Sequence, residues 1–491
     1  MQTRTPALAW CCPPLLSVVL CACGSSESVA LGERTVDGGT SGGGAAGTFT
    51  DPSSGASGTF RDPGMGARVD AGATGSSGPG AVGATRDQFC SNAPGTGILI
   101  PGTNECTGDL GKRTFLFGLC SCTDLSLTGV LSTDSFDSKT NQSGTSGSVG
   151  VTGNFMGSAV FNIGGSLWVS GGGATGGPAI LLTGVNTINQ ELHVGGDLNG
   201  NGFLTVGSDA YVDGSAVSSG LFLTIGGTLH VPVGAAISAF TKSSQTVRQP
   251  VAVADPCNCG NPPDVASIVH SFATANDDAA SGFGPDALTG LPGVTDLTLG
   301  CGRYYFDRVA AVSGVTHVRL TGRTAIFVDG DFDVGGLFSM DFDPQAELDL
   351  FVKGNVSMTG VHTFGLPGAP ARFRMYVGGT TVDLTGVSSL GVNLHATRAT
   401  FIDTGVLTLW GSLYTRTLNL SGDESFHYDS AVLDIDGCTP PGQSCHDCHD
   451  CSGATPACNK GTCGTCASNA DCCAPLECSM GVCVPPSVVV R

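Results

Sequence analysis

The stretches "FNIGGSLWVSG" (161–171) and "LTIGGTLHVPVG" (223–234) share the pattern Ile-Gly-Gly-Ser/Thr-Leu-x-Val. Each contains a short alternating strand, a glycine corner and a second short strand. Alternation with a period of two predicts half-buried strands, and glycine supplies corners that need positive φ. Looser copies of the same pattern recur at residues 191–200, 203–214, 325–336, 348–360, 373–386 and 413–422.

These repeats predict an all-β fold. Their spacing of roughly 17–26 residues, with almost no helical periodicity, favours a right-handed parallel β-solenoid (β-helix) over residues 89–436. Each coil would bury Val, Ile, Leu and Phe against its neighbours. An antiparallel sandwich or barrel remains the alternative, because it also uses short strands and glycine turns.

One segment departs from the strand pattern. "PPDVASIVHSFATAND" (262–277) has apolar residues at helical spacing, preceded by two prolines and Asp264. The sequence therefore predicts one short inserted helix, which packs on the solenoid or caps it and is held there by disulfide bridges. Its apolar residues are Val265, Ile268, Val269 and Phe272.

The composition excludes several classes of protein. The chain has 491 residues, of which 76 are Gly and 13% are charged. That composition disfavours a helix-rich enzyme and a disordered acidic chain. Asp and Glu number 41 against 21 Lys and Arg, so nucleic acid would be repelled. The apolar runs are shorter than the ~18 residues that a membrane-spanning helix needs.

The amino terminus is typical of an exported protein. Residues 7–20 form an apolar segment after Arg4, and "LCAC" (20–23) resembles the lipobox of bacterial lipoproteins. The resemblance implies that residues 1–22 are a lipoprotein signal peptide and that Cys23 is the lipid attachment site. Gly24 beside it favours sorting to the outer membrane. The alternative is an ordinary signal peptide cleaved nearby, with Cys23 in a disulfide.

Residues 23–88 are rich in Gly, Ser, Ala and Thr and contain almost no large apolar side chains. Such a segment cannot bury enough apolar surface to offset the entropy of ordering it, which predicts a Gly/Ser-rich flexible tether. Together with a lipid on Cys23, the tether would hold the solenoid at a distance from the membrane.

The cysteines predict a disulfide framework in an oxidising compartment. Of 22 cysteines, three leave with the signal peptide and Cys23 carries the lipid, so 18 disulfide candidates remain. Ten of them crowd into residues 445–483, within a segment (437–491) that is predicted to be a separate disulfide-rich module. These ten are predicted to close five bridges among themselves, and Cys438 is counted with the solenoid. "CHDCHDC" (445–451) could instead be a zinc cluster, because Cys and His lie close together. The candidates are Cys90, Cys106, Cys120, Cys122, Cys257, Cys259, Cys301, Cys438, Cys445, Cys448, Cys451, Cys458, Cys463, Cys466, Cys472, Cys473, Cys478 and Cys483.

Outward carboxylates are the candidates for a chemical site. Asp329, Asp331 and Asp333 alternate with apolar residues, so we expect them to point outward along one strip, where their oxygens would suit Ca²⁺. Carboxylate pairs also serve polysaccharide-cleaving enzymes, which makes a β-solenoid hydrolase or lyase the alternative function. A solvated face without a ligand is the simpler interpretation. The sequence contains no GxSxG, HExxH or GxxxxGK motif.

Four segments carry a resemblance to a known group: "FLFGLCSCTDLSLTG" (115–129), residues 256–279, "LGCGRYYFD" (299–307) and "LSGDESFHYDSAVL" (420–433). They resemble predicted exported β-solenoid lipoproteins of gliding and predatory soil bacteria, whose repeats are akin to polymer-forming and pilus-associated repeats. The resemblance covers about residues 89–436 and implies a surface structural role without catalytic residues. The tail resembles the Cys-rich, cystine-knot-like module of such proteins.

Chains with this tail can carry the label tryptophan synthase alpha chain. The sequence does not support that label, because a (β/α)₈ barrel needs helices that alternate with strands. We therefore expect a lipid-anchored, non-catalytic protein with a structural or adhesive role at the outer membrane or cell surface. Its expected partners are the membrane, surface polymers or other cell-surface proteins. No cofactor is expected other than Ca²⁺ at the aspartates.

Overall fold

The structure, a computed structural model, describes most of the chain from residue 84 onward. The described residues are 84–91, 97–101, 106–144, 146–171, 177–216, 220–260, 262–291, 293–311, 313–435, 445–448, 451, 457–464, 466–473, 476–479 and 482–484. The predicted signal peptide, Cys23, most of the predicted tether and Cys438 lie outside them.

The alternating segments form one large, mostly parallel sheet, which confirms the predicted β-solenoid. Its first strands are β1 (Leu119–Ser121), β2 (Leu125–Leu127), β3 (Val130–Asp137), β4 (Gln142–Gly144), β5 (Val149–Val151), β6 (Phe155–Ser158), β7 (Val160–Ile163), β8 (Leu167–Val169), β9 (Ile180–Ile188), β10 (Leu192–Val194), β11 (Leu198–Val206), β12 (Ala210–Val212), β13 (Gly220–Ile225), β14 (Thr228–Val231), β15 (Thr241–Lys242) and β16 (Gln245–Arg248). The later strands are β17 (Val294–Leu299), β18 (Gly302–Phe306), β19 (Val309–Ala311), β20 (Val315–Leu320), β21 (Arg323–Val328), β22 (Phe332–Phe342), β23 (Glu347–Val352), β24 (Val356–Gly365), β25 (Phe373–Val377), β26 (Thr381–Asp403), β27 (Val406–Leu420) and β28 (Asp423–Asp429).

Each coil has three faces, which take their names from the coil of residues 119–137: face A contains β1, face B contains β2 and face C contains β3. Strands pair in parallel with the equivalent strands of the coils on either side. Leu192, for example, pairs with Leu167 on one side and with Ala210 on the other. Alternate apolar side chains fill a continuous core. Within the described part of this sheet the hairpin β3–β4 is the antiparallel exception, which excludes the sandwich alternative.

The coils do not stack in chain order. Strand β1 pairs with β5 of the next coil on one side and with β27, near the end of the solenoid, on the other. Strand β3 likewise lies between β7 and β28. The coils of residues 294–429, the carboxy-terminal half, therefore stack directly on the first coil of residues 119–248, the amino-terminal half. The first coil in sequence lies in the middle of the stack, and β16 and β17 lie at its opposite ends.

A return segment, residues 249–293, connects the two ends of the stack. Nine residues lead from the end of β16 to Cys257, which is bonded to Cys120 six strand rows away. Six rows span about 29 Å and nine extended residues about 30 Å, so this stretch has to be almost fully extended. The adjacent bridge Cys122–Cys259 fixes the same point of the segment to face A.

The return segment contains the predicted helix, which packs against the side of the solenoid. Asp264 caps it by accepting a hydrogen bond from the Ser267 N–H, and Phe272 stacks on Phe327 with ring centroids 4.1 Å apart. The strand pattern does not predict the other helices, because two are single turns and one contains two glycines. In the described residues the helices are α1 (Arg86–Cys90), α2 (Thr107–Thr114), α3 (Val265–Phe272) and α4 (Asp278–Ser281).

In a second segment, residues 84–118, the described residues 84–91, 97–101 and 106–118 lie along face A of the carboxy-terminal half before the chain enters β1. We call this segment the amino-terminal strap. The bridge Cys90–Cys301 fixes its beginning. Further along, the Thr107 hydroxyl donates to Asp349 at 3.0 Å, and its carbonyl accepts from a tyrosine hydroxyl of β25. The strap and the return segment together cover face A of these coils.

Buried charges lie beneath the amino-terminal strap. Arg374 is fully buried and donates from Nε to Asp349 at 2.7 Å. Glu347 lies 3.6 Å from Arg374 on one side and 3.5 Å from Arg323 on the other. Burial alone lowers the pKa of Arg374, but Asp349 and Glu347 outweigh it and raise that pKa. The guanidinium therefore stays charged, and removing one partner would leave an uncompensated charge in the core.

The two ends of the stack differ. At β17, residues 283–291 cover the core, with Leu288 buried and Phe283 packed edge-to-face on Tyr304 at 5.8 Å. At the other end β16 is a largely exposed edge strand. Two charged residues at this end, Lys242 on β15 and Arg248 on β16, disfavour pairing with the edge of another sheet.

The tail contains two small antiparallel hairpins, β29 (Cys458–Asn459) with β30 (Thr462–Cys463) and β31 (Glu477–Ser479) with β32 (Val482–Val484). Its buried side chains are mostly cysteines. A segment with so little apolar core depends on its disulfide bridges for stability.

Candidate functional site

A row of exposed apolar side chains runs along face C from one end of the stack to the other. We call it the apolar row. The register aligns its members; Val361, for example, pairs with Leu337 and with Val387. Among the described coils, twelve of thirteen positions are apolar and exposed, over about 58 Å. In stack order the positions are Val294, Val315, Leu337, Val361, Val387, Val406, Asp423, Val130, Val160, Val185, Phe203, Phe222 and Phe240.

Glycines at the corner before face C fix the position of the apolar row in successive coils. At Gly405, Gly422 and Gly129 a Cβ atom would lie 1.8 Å from a glycine carbonyl oxygen of the neighbouring coil. A side chain does not fit there, so the residue after each glycine begins face C at the same position in successive coils. The sequence carries a signal for this row that strand alternation alone misses. The tripeptide Thr-Gly-Val recurs at 128–130, 183–185, 359–361, 385–387 and 404–406.

A row of hydroxyl and amide side chains lies beside the apolar row. Its members stand two residues further along each face C strand, so they point outward as well. Neighbouring coils bond through them, as between the Ser132 and Ser425 hydroxyls at 3.0 Å. We call this the hydroxyl row. It consists of Ser339, Thr363, Ser389, Thr408, Ser425, Ser132, Asn162, Thr187, Thr205 and Thr224.

Charges border face C unevenly. Near β17, His317 lies 2.8 Å from Asp341 and 3.3 Å from Asp296. The hydrogen bond with Asp341 is the main cause that raises the pKa of His317. Arg319 lies 2.8 Å from Asp343 on the same face. The amino-terminal half is bordered mainly by the uncharged hydroxyl row. Its charged exceptions are Asp134 at the first coil, 2.7 Å from His427, and Lys242 at the last coil, so that half of face C carries fewer charges.

A column of stacked rings stands on face A of the amino-terminal half. The centroid of His193 lies 3.6 Å from Trp168 and 4.7 Å from Tyr211, and His230 follows at 4.5 Å from Tyr211. Burial is the main cause that lowers the pKa of His193. Because the rings cover one another, the column presents ring edges to solvent. It therefore lacks the open aromatic faces on which sugars stack.

The three aspartates predicted to bind calcium are not brought together. Asp329 accepts a hydrogen bond from the Tyr305 hydroxyl at 2.9 Å and lies 2.5 Å from Lys353. Burial tends to raise the pKa of Asp329, but these two partners lower it overall. Asp331 accepts a backbone N–H of the next coil at 2.7 Å, and Asp333 lies beyond the corner on β22. Among the described residues, the groups whose ligand atoms converge consist of cysteines.

A pair of carboxyl groups lies inside the solenoid at the corner between faces B and C. Asp403 and Glu424 are 1% and 0% exposed. Glu424 accepts the Gly422 N–H at 2.6 Å. Burial raises the pKa of Glu424 to about 7, and the carboxylates of Asp403 and Asp423 add to the effect. Burial also raises the pKa of Asp403. Because both carboxyls are enclosed by the core, a polysaccharide chain cannot reach them.

The structure pairs most of the predicted disulfide cysteines. Three bridges hold the two segments on face A, and the ten tail cysteines pair among themselves. Cys106 is also disulfide-bonded, to a cysteine outside the described residues. Bonded sulfurs are not thiolates, so the structure does not support a zinc cluster at 445–451. The tail bridges are Cys445–Cys458, Cys448–Cys473, Cys451–Cys463, Cys466–Cys478 and Cys472–Cys483.

Comparison with known proteins gives one match. A family model described as a domain of unknown function (DUF7305) matches residues 258–435. The matched segment contains most of the return segment and the carboxy-terminal half, and ends after β28, the strand that pairs with the first coil. No curated protein and no solved structure matches the chain. This part of the solenoid, residues 258–435, is thus similar to that domain family.

Proposed function

We propose that the protein is an exported, non-catalytic surface protein with a structural or adhesive role, which presents face C of its solenoid to a neighbouring surface. The observation that carries this proposal is the apolar row with the hydroxyl row beside it. Scattered exposed apolar residues are normal, but an aligned row of about 58 Å, interrupted at Asp423, is the kind of patch that marks an interaction site.

The disulfides support an extracellular or envelope location. Eight bridges are formed within the described residues, and such bridges persist in oxidising compartments. No helix in the described ranges is long and apolar enough to span a membrane. Attachment through a lipid on Cys23 and display on residues 23–88 rest on the sequence and belong to the proposal.

The carboxylates support a non-catalytic role. Asp329 and Asp331 are engaged at a corner of the backbone, and Asp403 and Glu424 are enclosed by the core. Cleavage of a glycosidic bond needs two accessible carboxyl groups on opposite sides of the bond. These four carboxyl groups therefore do not supply such a pair. The exposed carboxylates of face C are ion-paired, Asp296 and Asp341 with His317 and Asp343 with Arg319.

Cosedimentation with cell envelopes of the producing strain tests the adhesive role. The probe is the full chain with Cys23→Ser, which should be released into the medium if Cys23 is lipidated. A triple variant, Val361→Lys, Val387→Lys and Val406→Lys, should lower envelope binding about tenfold, because charge on a contact face costs at least ~1.4 kcal/mol. Val233→Lys, exposed outside the row, is the matched control. Equal binding by the triple variant would contradict the proposal, as would polysaccharide cleavage that is lost in Asp331→Asn.

A further inference from the structure

The amino-terminal half of the apolar row has the composition of an interface core. Phe203 and Phe222 stack with ring centroids 5.0 Å apart, and Phe222 and Phe240 lie 4.8 Å apart. The hydroxyl row flanks these side chains. The cores of protein interfaces are depleted in charge and enriched in aromatic residues. The carboxy-terminal half lacks both properties, since its row members are aliphatic except for Asp423, and charged side chains border it near β17.

We infer that two copies of this chain form a dimer through the amino-terminal half of the apolar row, with the two rows antiparallel. The coils repeat at equal spacing, so a row is complementary to a second copy of itself under a two-fold axis. With the axis between the coils of Val185 and Phe203, Val185 of one copy faces Phe203 of the other. Val130 then faces Phe240 at each end.

The charges of Asp423 and Lys242 favour this half-row arrangement over pairing along the whole row. Among the described positions of the row, Asp423 is the charged one, and it stands directly beside Val130. In the antiparallel dimer it lies just beyond Phe240 of the second copy, where Lys242 follows two residues later on the same strand. The two opposite charges are thus brought near each other. Pairing along the whole row would instead place Asp423 opposite Asp423, because this residue occupies the middle position, and like charges in contact are unfavourable.

The area is sufficient for a specific but modest dimer. Six coils span about 24 Å between the first and last strand rows, and the row with its flanks covers about 30 Å by 20 Å. Two such faces bury about 1,200 Å², the lower limit of standard protein interfaces. A dimer of this size should dissociate on dilution. The inference does not require the adhesive role, which is tested on the other half of the row.

Sedimentation velocity of the full chain with Cys23→Ser tests the inference, over about 1–100 μM. The weight-average mass should rise from one to two chains with concentration. Phe222→Asp should keep the protein monomeric over this range, while Leu337→Asp, equally exposed on the other half, should leave dimerisation unchanged. Unaltered far-UV circular dichroism shows that both variants fold. A monomeric parent protein, or equal effects of the two substitutions, would overturn the inference.

A charge exchange tests the orientation. Asp423→Lys alone and Lys242→Asp alone should each weaken dimerisation several-fold, because each places like charges near each other, and the double variant should restore it. Additive weakening in the double variant would exclude the antiparallel arrangement.

Discussion

Glu424→Gln should make the solenoid more stable at neutral and alkaline pH and change it little near pH 5. Glu424 is completely buried, and its pKa in the folded protein is raised from 4.5 to about 7, mainly by burial. The folded state therefore binds this proton more tightly than the unfolded state. Stability that is present below pH 4.5 is lost as the pH rises through 7. Glutamine removes the titration and can still accept the Gly422 N–H through its amide oxygen.

The size of the effect follows from the shift. A rise of about 2.5 in the pKa of Glu424 corresponds to about 3 kcal/mol of unfolding free energy. That amount is the difference between a pH at which Glu424 is protonated and a pH at which it is ionised in both the folded and the unfolded state. Near pH 8 the carboxylate is ionised inside the core, and the variant should gain up to that amount in free energy of unfolding. Near pH 5 Glu424 is still almost entirely neutral in the folded protein, as glutamine is at any pH, and partial ionisation of Glu424 in the unfolded state leaves a difference of less than about 1 kcal/mol.

Equilibrium urea unfolding at pH 5 and pH 8, with the disulfides intact, measures both values. Asp213→Asn, an exposed carboxyl on another coil, is the matched control and should change stability by less than ~0.5 kcal/mol at either pH. A gain at pH 8 below about 0.5 kcal/mol, or a larger gain at pH 5 than at pH 8, would refute the reasoning.

Arg374→Met should lower the free energy of unfolding by about 3–5 kcal/mol, because two buried carboxylates, Asp349 and Glu347, then share Arg323 as the remaining buried cation. Urea unfolding measures the loss, with the exposed Arg398→Met as control. A loss below ~1 kcal/mol would contradict the role of the buried charges. Non-reducing peptide mapping should find Cys106 linked to Cys438, since these are the two disulfide candidates that remain once the eight described bridges are formed. A link from Cys106 to a tail cysteine would exclude that pairing.

Much of the local structure could be predicted because it depends on near neighbours in sequence. The period of two in "FNIGGSLWVSG" is set within each of two short strands, β7 and β8, and the core residues of both are buried, as predicted. Helix α3 follows from its own apolar spacing and from Asp264 as its cap. The division of the cysteines into a tail set and a solenoid set follows from their clustering along the chain.

The candidate site could be predicted only in part. Alternation predicts one outward strip for Asp329, Asp331 and Asp333, whereas in the structure Asp329 and Asp331 lie in the corner between β21 and β22 and Asp333 lies on β22. Most members of the apolar row directly follow a corner glycine. Whether each of these residues is exposed, and whether they form one row, depends on how the coils align. The recurring Thr-Gly-Val tripeptide marks the positions, but exposure is a property of the assembled sheet.

The strand alternation, the glycine corners and the clustering of the cysteines depend on residues close together in the chain. The amino-acid sequence therefore predicts a disulfide-rich β repeat and favours a parallel solenoid over a sandwich or barrel. The order of the coils became visible in the assembled fold. All coils present nearly the same edges, so local sequence does not specify which coil lies beside which. In the observed order the first coil packs against the last. The strap and the return segment are bonded to the solenoid in this arrangement, through bridges to Cys301, Cys120 and Cys122. That order aligns the two halves of the apolar row into one surface, because the corner glycines Gly129 and Gly422 then meet across the junction, where a side chain on Gly129 would collide with the Gly422 carbonyl oxygen.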